Sequence, residues 1–184
     1  MAQPHFIGKQ HHELLAWLRD TWLSAGPPVC FLEGFPGVGK SELARALLAK
    51  SPIKALRMIE VPDSKSVTLD DLLLDLAQAW QEAGNGELAE TARAGKPLLP
   101  VLSRLLQQPV LIVFDEFQHV MIGQEAKLGP EFSTLFQRLA QQPQAKGRIL
   151  LLTNRLVEQA RWSEAFPKKR LDRLNEADGE ALLT

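Results

Sequence analysis

The chain has 184 residues, 45% of them hydrophobic and 23% charged, a balance that suits one globular domain with a sizeable core. A formal net charge of −1 leaves no global electrostatic footprint for nucleic acid or an anionic membrane surface. No apolar stretch approaches the roughly 18 residues of a membrane span, the polar start (Gln3, His5, Lys9, Gln10) does not read as a signal peptide, and the single Cys30 precludes an internal disulfide framework. A cytoplasmic domain of α/β size is expected. Residues 10–23 carry Leu14, Leu15, Leu18 and Trp22 at helical spacing, and Pro27-Pro28 ends them. Val29-Cys30-Phe31-Leu32 follows as a short continuous apolar run, the pattern of a strand covered on both faces. A helix is expected from Lys40, with Leu43, Ala44, Leu47 and Leu48 on one side, and a second strand over residues 55–61. Thr68 and Asp71 mark another helix start, continued by Leu72, Leu73, Leu76 and Trp80.

Gly84-Asn85-Gly86 and Gly95-Lys96-Pro97 are loop signals, and a helix is expected over roughly 98–107. Val110-Leu111-Ile112-Val113-Phe114 is the most continuous apolar strand. The stretch from Gly123 to Pro130 reads as a loop, and Phe132, Leu135, Phe136 and Leu139 as a helix closed by Pro143. Gly147 introduces Ile149-Leu150-Leu151-Leu152, a fourth buried strand. Strands alternating with helices imply βαβ units on a mostly parallel sheet, so the fold class is α/β.

Three segments carry chemistry. Gly34-Phe35-Pro36-Gly37-Val38-Gly39-Lys40-Ser41 fits G-x-x-x-x-G-K-[ST] at every position, between a buried strand and an amphipathic helix. Glycines let backbone N–H groups curl around an anion, and the helix N-terminus adds unsatisfied donors and a positive dipole end. Lys40 would neutralise the β- and γ-phosphates of a nucleotide, and the Ser41 hydroxyl would ligate Mg²⁺. The nucleotide-contacting positions taken from this loop run from Gly34 through Ser41 to Glu42. The second segment is Asp115-Glu116 at the end of the strand 110–114. Paired carboxylates there are costly unless something compensates them, and the carboxyl ends of parallel strands are where ligands bind. Asp115 would hold Mg²⁺ and Glu116 would orient and polarise the attacking water, so Glu116 and Lys40 form the catalytic pair. The third segment, Thr153-Asn154-Arg155 at the end of the fourth strand, would sit beside the γ-phosphate, with Asn154 or Arg155 sensing it.

Other candidates have plainer readings. Cys30 suits a small buried hydrophobe, and the adjacent His11 and His12 make a poor metal pair. His119, near Glu116, has a site-lining role as its less favoured reading. Lys168-Lys169-Arg170 with Arg173 reads first as a solvated face, and Trp17, Trp22, Trp80 and Trp162 as core anchors.

In this order the three segments resemble the additional-strand P-loop NTPases. Phe6-Ile7-Gly8-Lys9-Gln10 with Leu14-Leu15 resembles the hydrophobic-Gly-Arg-Glu segment of the STAND NTPases, a group that includes the NB-ARC proteins; origin-recognition-type AAA+ proteins share that segment. Thr153-Asn154-Arg155, Arg161-Trp162, Leu171-Asp172-Arg173-Leu174 and Glu176-Ala177 are similar to the STAND pattern of a Thr-Ser-Arg strand end, a Leu-x-x-Leu strand and a Glu-Ala helix. Lys9-Gln10 replaces the usual Arg-Glu, and Asn154 the more frequent Ser or Thr.

The resemblance implies a three-layer fold on a five-stranded sheet of order 5-1-4-3-2, with Phe6, Ile7 and Gly8 lining an adenine pocket. It implies residues 1–26 as an N-terminal helix with an adenine-side segment, 27–174 as the NTPase core, and 175–184 as the start of a following helical domain. It further implies ATP or ADP with Mg²⁺, slow hydrolysis serving a signalling or assembly switch, downstream winged-helix or repeat domains, and an ATP-dependent homo-oligomer. Two alternatives stand beside it: an AAA+ ATPase acting on DNA, which the near-zero charge opposes, and a scaffold that holds ADP without turnover, which Asp115-Glu116 opposes. Nucleic acid and membrane are not expected partners.

Overall fold

The computed structural model describes residues 8–63, 67–94, 99–123, 127–155 and 161–173. Helix α1 (Lys9–Ala16) continues through a π-helical stretch, Trp17–Trp22, into the short α2 (Leu23–Ala25). Strand β1 (Val29–Glu33) leads to α3 (Lys40–Ala49), then to the two-residue strands β2 (Lys54–Ala55) and β3 (Ile59–Glu60). Helices α4 (Leu69–Glu82), α5 (Glu87–Arg93) and α6 (Leu99–Leu105) precede β4 (Val110–Asp115). A 3₁₀ turn, Phe117–Val120, enters a small antiparallel hairpin of β5 (Met121–Ile122) and β6 (Lys127–Leu128). Helix α7 (Pro130–Ala140), β7 (Arg148–Thr153), a second 3₁₀ turn (Arg161–Ala165) and β8 (Lys168–Arg170) complete the described chain.

The central sheet is parallel at every pairing and runs β2-β4-β7-β1-β8, with β3 also on β4. Counted as one interrupted edge strand, β2 and β3 make the order 5-1-4-3-2. The interruption is a one-residue excess. From Ala55 to Ile59 the edge takes four steps while β4 takes three, from Leu111 to Phe114, so the ladder breaks between them as at a bulge.

Alternation along the central strands divides the core in two. Cys30, Leu32, Leu111, Val113, Leu150 and Leu152 pack with Leu14, Leu18, Trp22, Leu43 and Leu47 on the face covered by α1 and α3. Val29, Phe31, Ile112, Phe114, Ile149 and Leu151 pack with Trp80, Phe117, Phe132 and Phe136 on the other. Both faces are covered, which is why these strands read as unbroken apolar runs rather than alternating ones. Cys30 is fully buried among them.

Thr68 caps α4 as expected: its Oγ1 accepts from the Asp71 N–H at 3.2 Å and its N–H donates to Asp71 Oδ2 at 2.8 Å. Besides the second strand, expected over residues 55–61 and found interrupted as β2 and β3, three elements depart from the sequence expectations. Helix α5 stands where only flanking loop signals are legible, and its start rests on Asn85 Oδ1, which accepts from the Glu87 N–H. The β5–β6 hairpin occupies part of the stretch read as loop. The last strand is Lys168–Arg170 rather than the Leu171 segment, because an edge strand needs no apolar run: Lys168 and Arg170 are exposed while the half-buried Lys169 sets its ammonium over the Trp17 ring, 4.1 Å from the centroid. Leu171 extends the pairing by donating its N–H to Glu33 O at 2.8 Å. Among the described residues no helix is long and apolar enough to cross a membrane.

Candidate functional site

Strands β1, β4 and β7 lie side by side, so the segments that leave their carboxyl ends meet on one rim of the sheet. The first is the loop between β1 and α3. Gly34 donates its N–H to Thr153 O at 3.1 Å, pinning the loop's start to the end of β7. Gly37 (φ +81°) and Gly39 (φ +95°) turn the chain through left-handed backbone that other residues rarely adopt. Gly39 is the N-cap of α3 and offers no side chain to its first turn, so the helix's leading N–H groups face the loop without a cap.

Lys40, the first residue of α3, is buried at 8% exposure. Its Nζ donates to Gly34 O at 2.8 Å and Phe35 O at 3.1 Å, wrapping the loop around the ammonium. Burial pushes its pKa below the ordinary lysine value, while the Glu116 and Asp115 carboxylates pull the other way. The cation and the acidic pair are therefore electrostatic neighbours. Ser41 and Glu42 follow in the first turn, and exposed Glu42 forms an ion pair with Arg45. Phe35, 50% exposed, is flanked by the guanidinium groups of Arg170 at 5.7 Å and Arg173 at 5.4 Å from its ring centroid. Pro36 is exposed and Val38 half-buried.

The second segment begins at Asp115, the buried last residue of β4, whose Oδ1 accepts the Glu116 N–H at 2.9 Å. Glu116 has φ 55° and ψ 35°, the one positive φ among described non-glycine residues. Such backbone costs on the order of 1–3 kcal/mol and persists only where its surroundings enforce it. The Glu116 carboxylate accepts from Gln118 Nε2, and Gln118 Oε1 accepts the Asn154 N–H at 3.2 Å. This side chain joins the exits of β4 and β7.

At the third segment, Thr153 Oγ1 accepts the Arg155 N–H at 3.1 Å. The Arg155 guanidinium donates from Nη1 to Gly123 O, at 3.1 Å, at the β5–β6 hairpin. An open cleft of about 880 Å³ lies on this side, lined among others by Glu116, Gln118, His119, Ile122, Asn154 and Arg155. His119 therefore does line the rim, and its Nδ1 donates to Val61 O at 2.9 Å.

Two residues outside the expected set shape the site. His11 donates from Nε2 to Val38 O at 2.9 Å, and the same atom stands 3.0 Å from where a Cβ on Gly39 would lie. His11, Leu14, Leu15 and Leu18 share the buried stripe of the first helical segment, so a polar residue on an apolar face was the legible signal. Gln118 is the second, a polar residue between Phe117 and Val120 beside an acidic pair. Gln10 brackets the loop's far side, donating to Arg170 O and accepting from the Asp172 N–H. Gly8 caps α1, whereas Phe6 and Ile7, with Leu174 and the 175–184 segment, lie outside the described residues.

Among the described residues no three His, Cys, Asp or Glu side chains cluster to hold a metal by themselves. Ser41 and Asp115 alone suit a cation that takes its remaining ligands from water and phosphate, as Mg²⁺ does. Among curated proteins none matches the chain. The sequence profile of a family described as AAA domain matches residues 24–159, well over half of it, and spans the glycine loop, the acidic strand end and the exit of β7. The chain belongs to this AAA domain family of nucleotide-binding P-loop NTPases.

Proposed function

We propose that the domain binds ATP with Mg²⁺ and hydrolyses it slowly, using nucleotide state as a signalling or assembly switch. The observation that carries this reading is the convergence of buried Lys40, after β1, with Asp115 and Glu116, after β4, on one rim of the sheet on either side of the β7 exit. Lys40 exchanges the Gly34 and Phe35 carbonyls for phosphate oxygens, and the uncapped N–H groups of α3 receive further phosphate charge. Ser41 and Asp115 hold Mg²⁺, which when bound neutralises charge on the transferred phosphoryl group. Glu116 orients the attacking water, and Asn154 senses the terminal phosphate, while Gly34 to Glu42 with Phe6, Ile7 and Gly8 enclose the nucleotide. Arg155 serves the same sensing step indirectly: its bond to Gly123 O carries movement at the β7 exit into the hairpin.

A switch reading in the STAND manner is supported by that link from site to surface. The DNA-acting reading draws on one observation, the exposed cations of β8 (Lys168 and Arg170) with Arg173. Against it, Arg170 is paired with Asp172 at 2.9 Å and the net charge is −1.

The test is Glu116→Gln in the full chain. ATP affinity should stay within about threefold of wild type while turnover falls by about 10²–10⁴. Full turnover in that variant removes Glu116 from the mechanism.

A further inference from the structure

We infer that Gln118 is a positioning residue that fixes the Glu116 carboxylate and ties it to the exit of β7, so that phosphate sensing and water activation share one side chain. The inference rests on the water-orienting role proposed for Glu116 and assigns the residue that acts through it. Gln118 lies in the 3₁₀ turn after β4 and is 8% exposed, with Phe117 and Val120 buried beside it. A primary amide taken out of water there is costly unless both of its ends are paired. Both are: Nε2 donates to Glu116 Oε2, and Oε1 accepts the Asn154 N–H at 3.2 Å.

The backbone of Glu116 is already fixed, by its left-handed conformation and by its N–H bond to Asp115 Oδ1. What remains free is its side-chain torsions, and a bond to the carboxylate end removes that freedom. The task demands an amide. A carboxylate could accept from Asn154 but could not donate to Glu116, and a hydroxyl is too short to span both. The second bond has a further consequence. Asn154 is flanked by Arg155, whose Nη1 is tethered to Gly123 O at the hairpin, and by Thr153, whose carbonyl holds the start of the glycine loop. A displacement of the 153–155 backbone is therefore transmitted through Gln118 to Glu116.

The experiment compares Gln118→Ala and Gln118→Glu, alone and combined with Glu116→Gln, by ATP turnover, calorimetric ATP binding and amide hydrogen exchange. Gln118→Ala should lower kcat about 10–100-fold while leaving ATP Kd within about twofold. Its Asn154 amide should exchange faster, while the Gly34 amide, bonded to Thr153 O, keeps its protection. Gln118→Glu should lose a comparable share of kcat yet keep Asn154 protected, because it retains the acceptor. In the Glu116→Gln background neither change should reduce turnover further. Unchanged or raised kcat in Gln118→Ala, additive losses in the double variants, or an unaltered Asn154 exchange rate would each overturn the assignment. Wild-type turnover in Glu116→Gln alone would instead overturn the role of Glu116, and the two failures are thereby distinguished. Should Gln118→Ala fail to fold, Gln118→Glu decides the matter by its kcat against its Asn154 protection.

Discussion

Glu116 occupies a backbone conformation that a glycine would adopt at lower cost, and its side chain is what the position retains in exchange. Together with Gly37 and Gly39 it sets three left-handed turns at the strand exits where the nucleotide chemistry is proposed. The two glycines are not equivalent. A Cβ on Gly37 meets nothing within 4 Å, whereas one on Gly39 stands 3.0 Å from His11 Nε2. Gly37→Ala should therefore cost only its backbone strain, about 1 kcal/mol, and Gly39→Ala that plus displacement of His11 from Val38 O, about 2 kcal/mol in all. Urea denaturation of both variants checks this, and equal losses would contradict it. At this scale much was legible: the glycines between Gly34 and Ser41 permit the left-handed turns they make, and Asp115-Glu116 announces an acidic strand end, although the left-handed backbone of Glu116 runs against its residue type. His11 and Gln118 show in the sequence only as polar residues among apolar ones; their roles come from bonds to residues 27 and 36 positions away, which no local pattern encodes.

Among elements, β1, β4 and β7 were legible because strands buried on both faces must be apolar throughout, and α4 because Thr68 and Asp71 announce its cap. The edge was harder. Strands β2, β3 and β8 are held by one neighbour each, so their sequences need not be apolar, and the bulge between β2 and β3 hides in an ordinary-looking run. The sheet's other rim carries a stability test. Arg148, 5% exposed at the start of β7, donates to Trp22 O, Ala145 O and Gly147 O, stapling the end of the π-helical stretch to the sheet. Arg148→Met should destabilise the fold by about 2–4 kcal/mol, since carbonyls at a dry rim lose their charged donor; a shift in denaturation midpoint below the equivalent of about 1 kcal/mol would show the staple to be dispensable.

Strand β1 carries a second test. Burial pushes the Cys30 thiol well above its ordinary pKa. The folded chain thus keeps a proton that the unfolded chain releases near pH 9, so this contribution to stability is whole below that pH and declines above it. A thiol-directed reagent at pH 8 should leave native Cys30 untouched and label it on unfolding; rapid native labelling would mean that β1 is not covered as described.

For the molecule as a whole, the order of elements along the chain sufficed to place the glycine loop and the acidic strand end on one rim, because parallel βαβ units leave all their strand exits on the same side. The output of the proposed switch is the part that local physics does not write into the sequence, and it concerns surfaces rather than the site. With a net charge of −1 and Arg170 paired to Asp172, duplex DNA should not be retarded in an electrophoretic assay at low salt. Salt-sensitive retardation there would favour the DNA-acting reading. Every role proposed here depends on phosphate entering the loop around Lys40, and calorimetric titration of Mg·ATP into the wild-type chain and Lys40→Ala examines that step most directly. Saturable binding to wild type, weakened by about 100-fold or more in Lys40→Ala (roughly 3 kcal/mol), is the result expected from losing a buried charge-assisted contact. Equal affinity in the two proteins would contradict it.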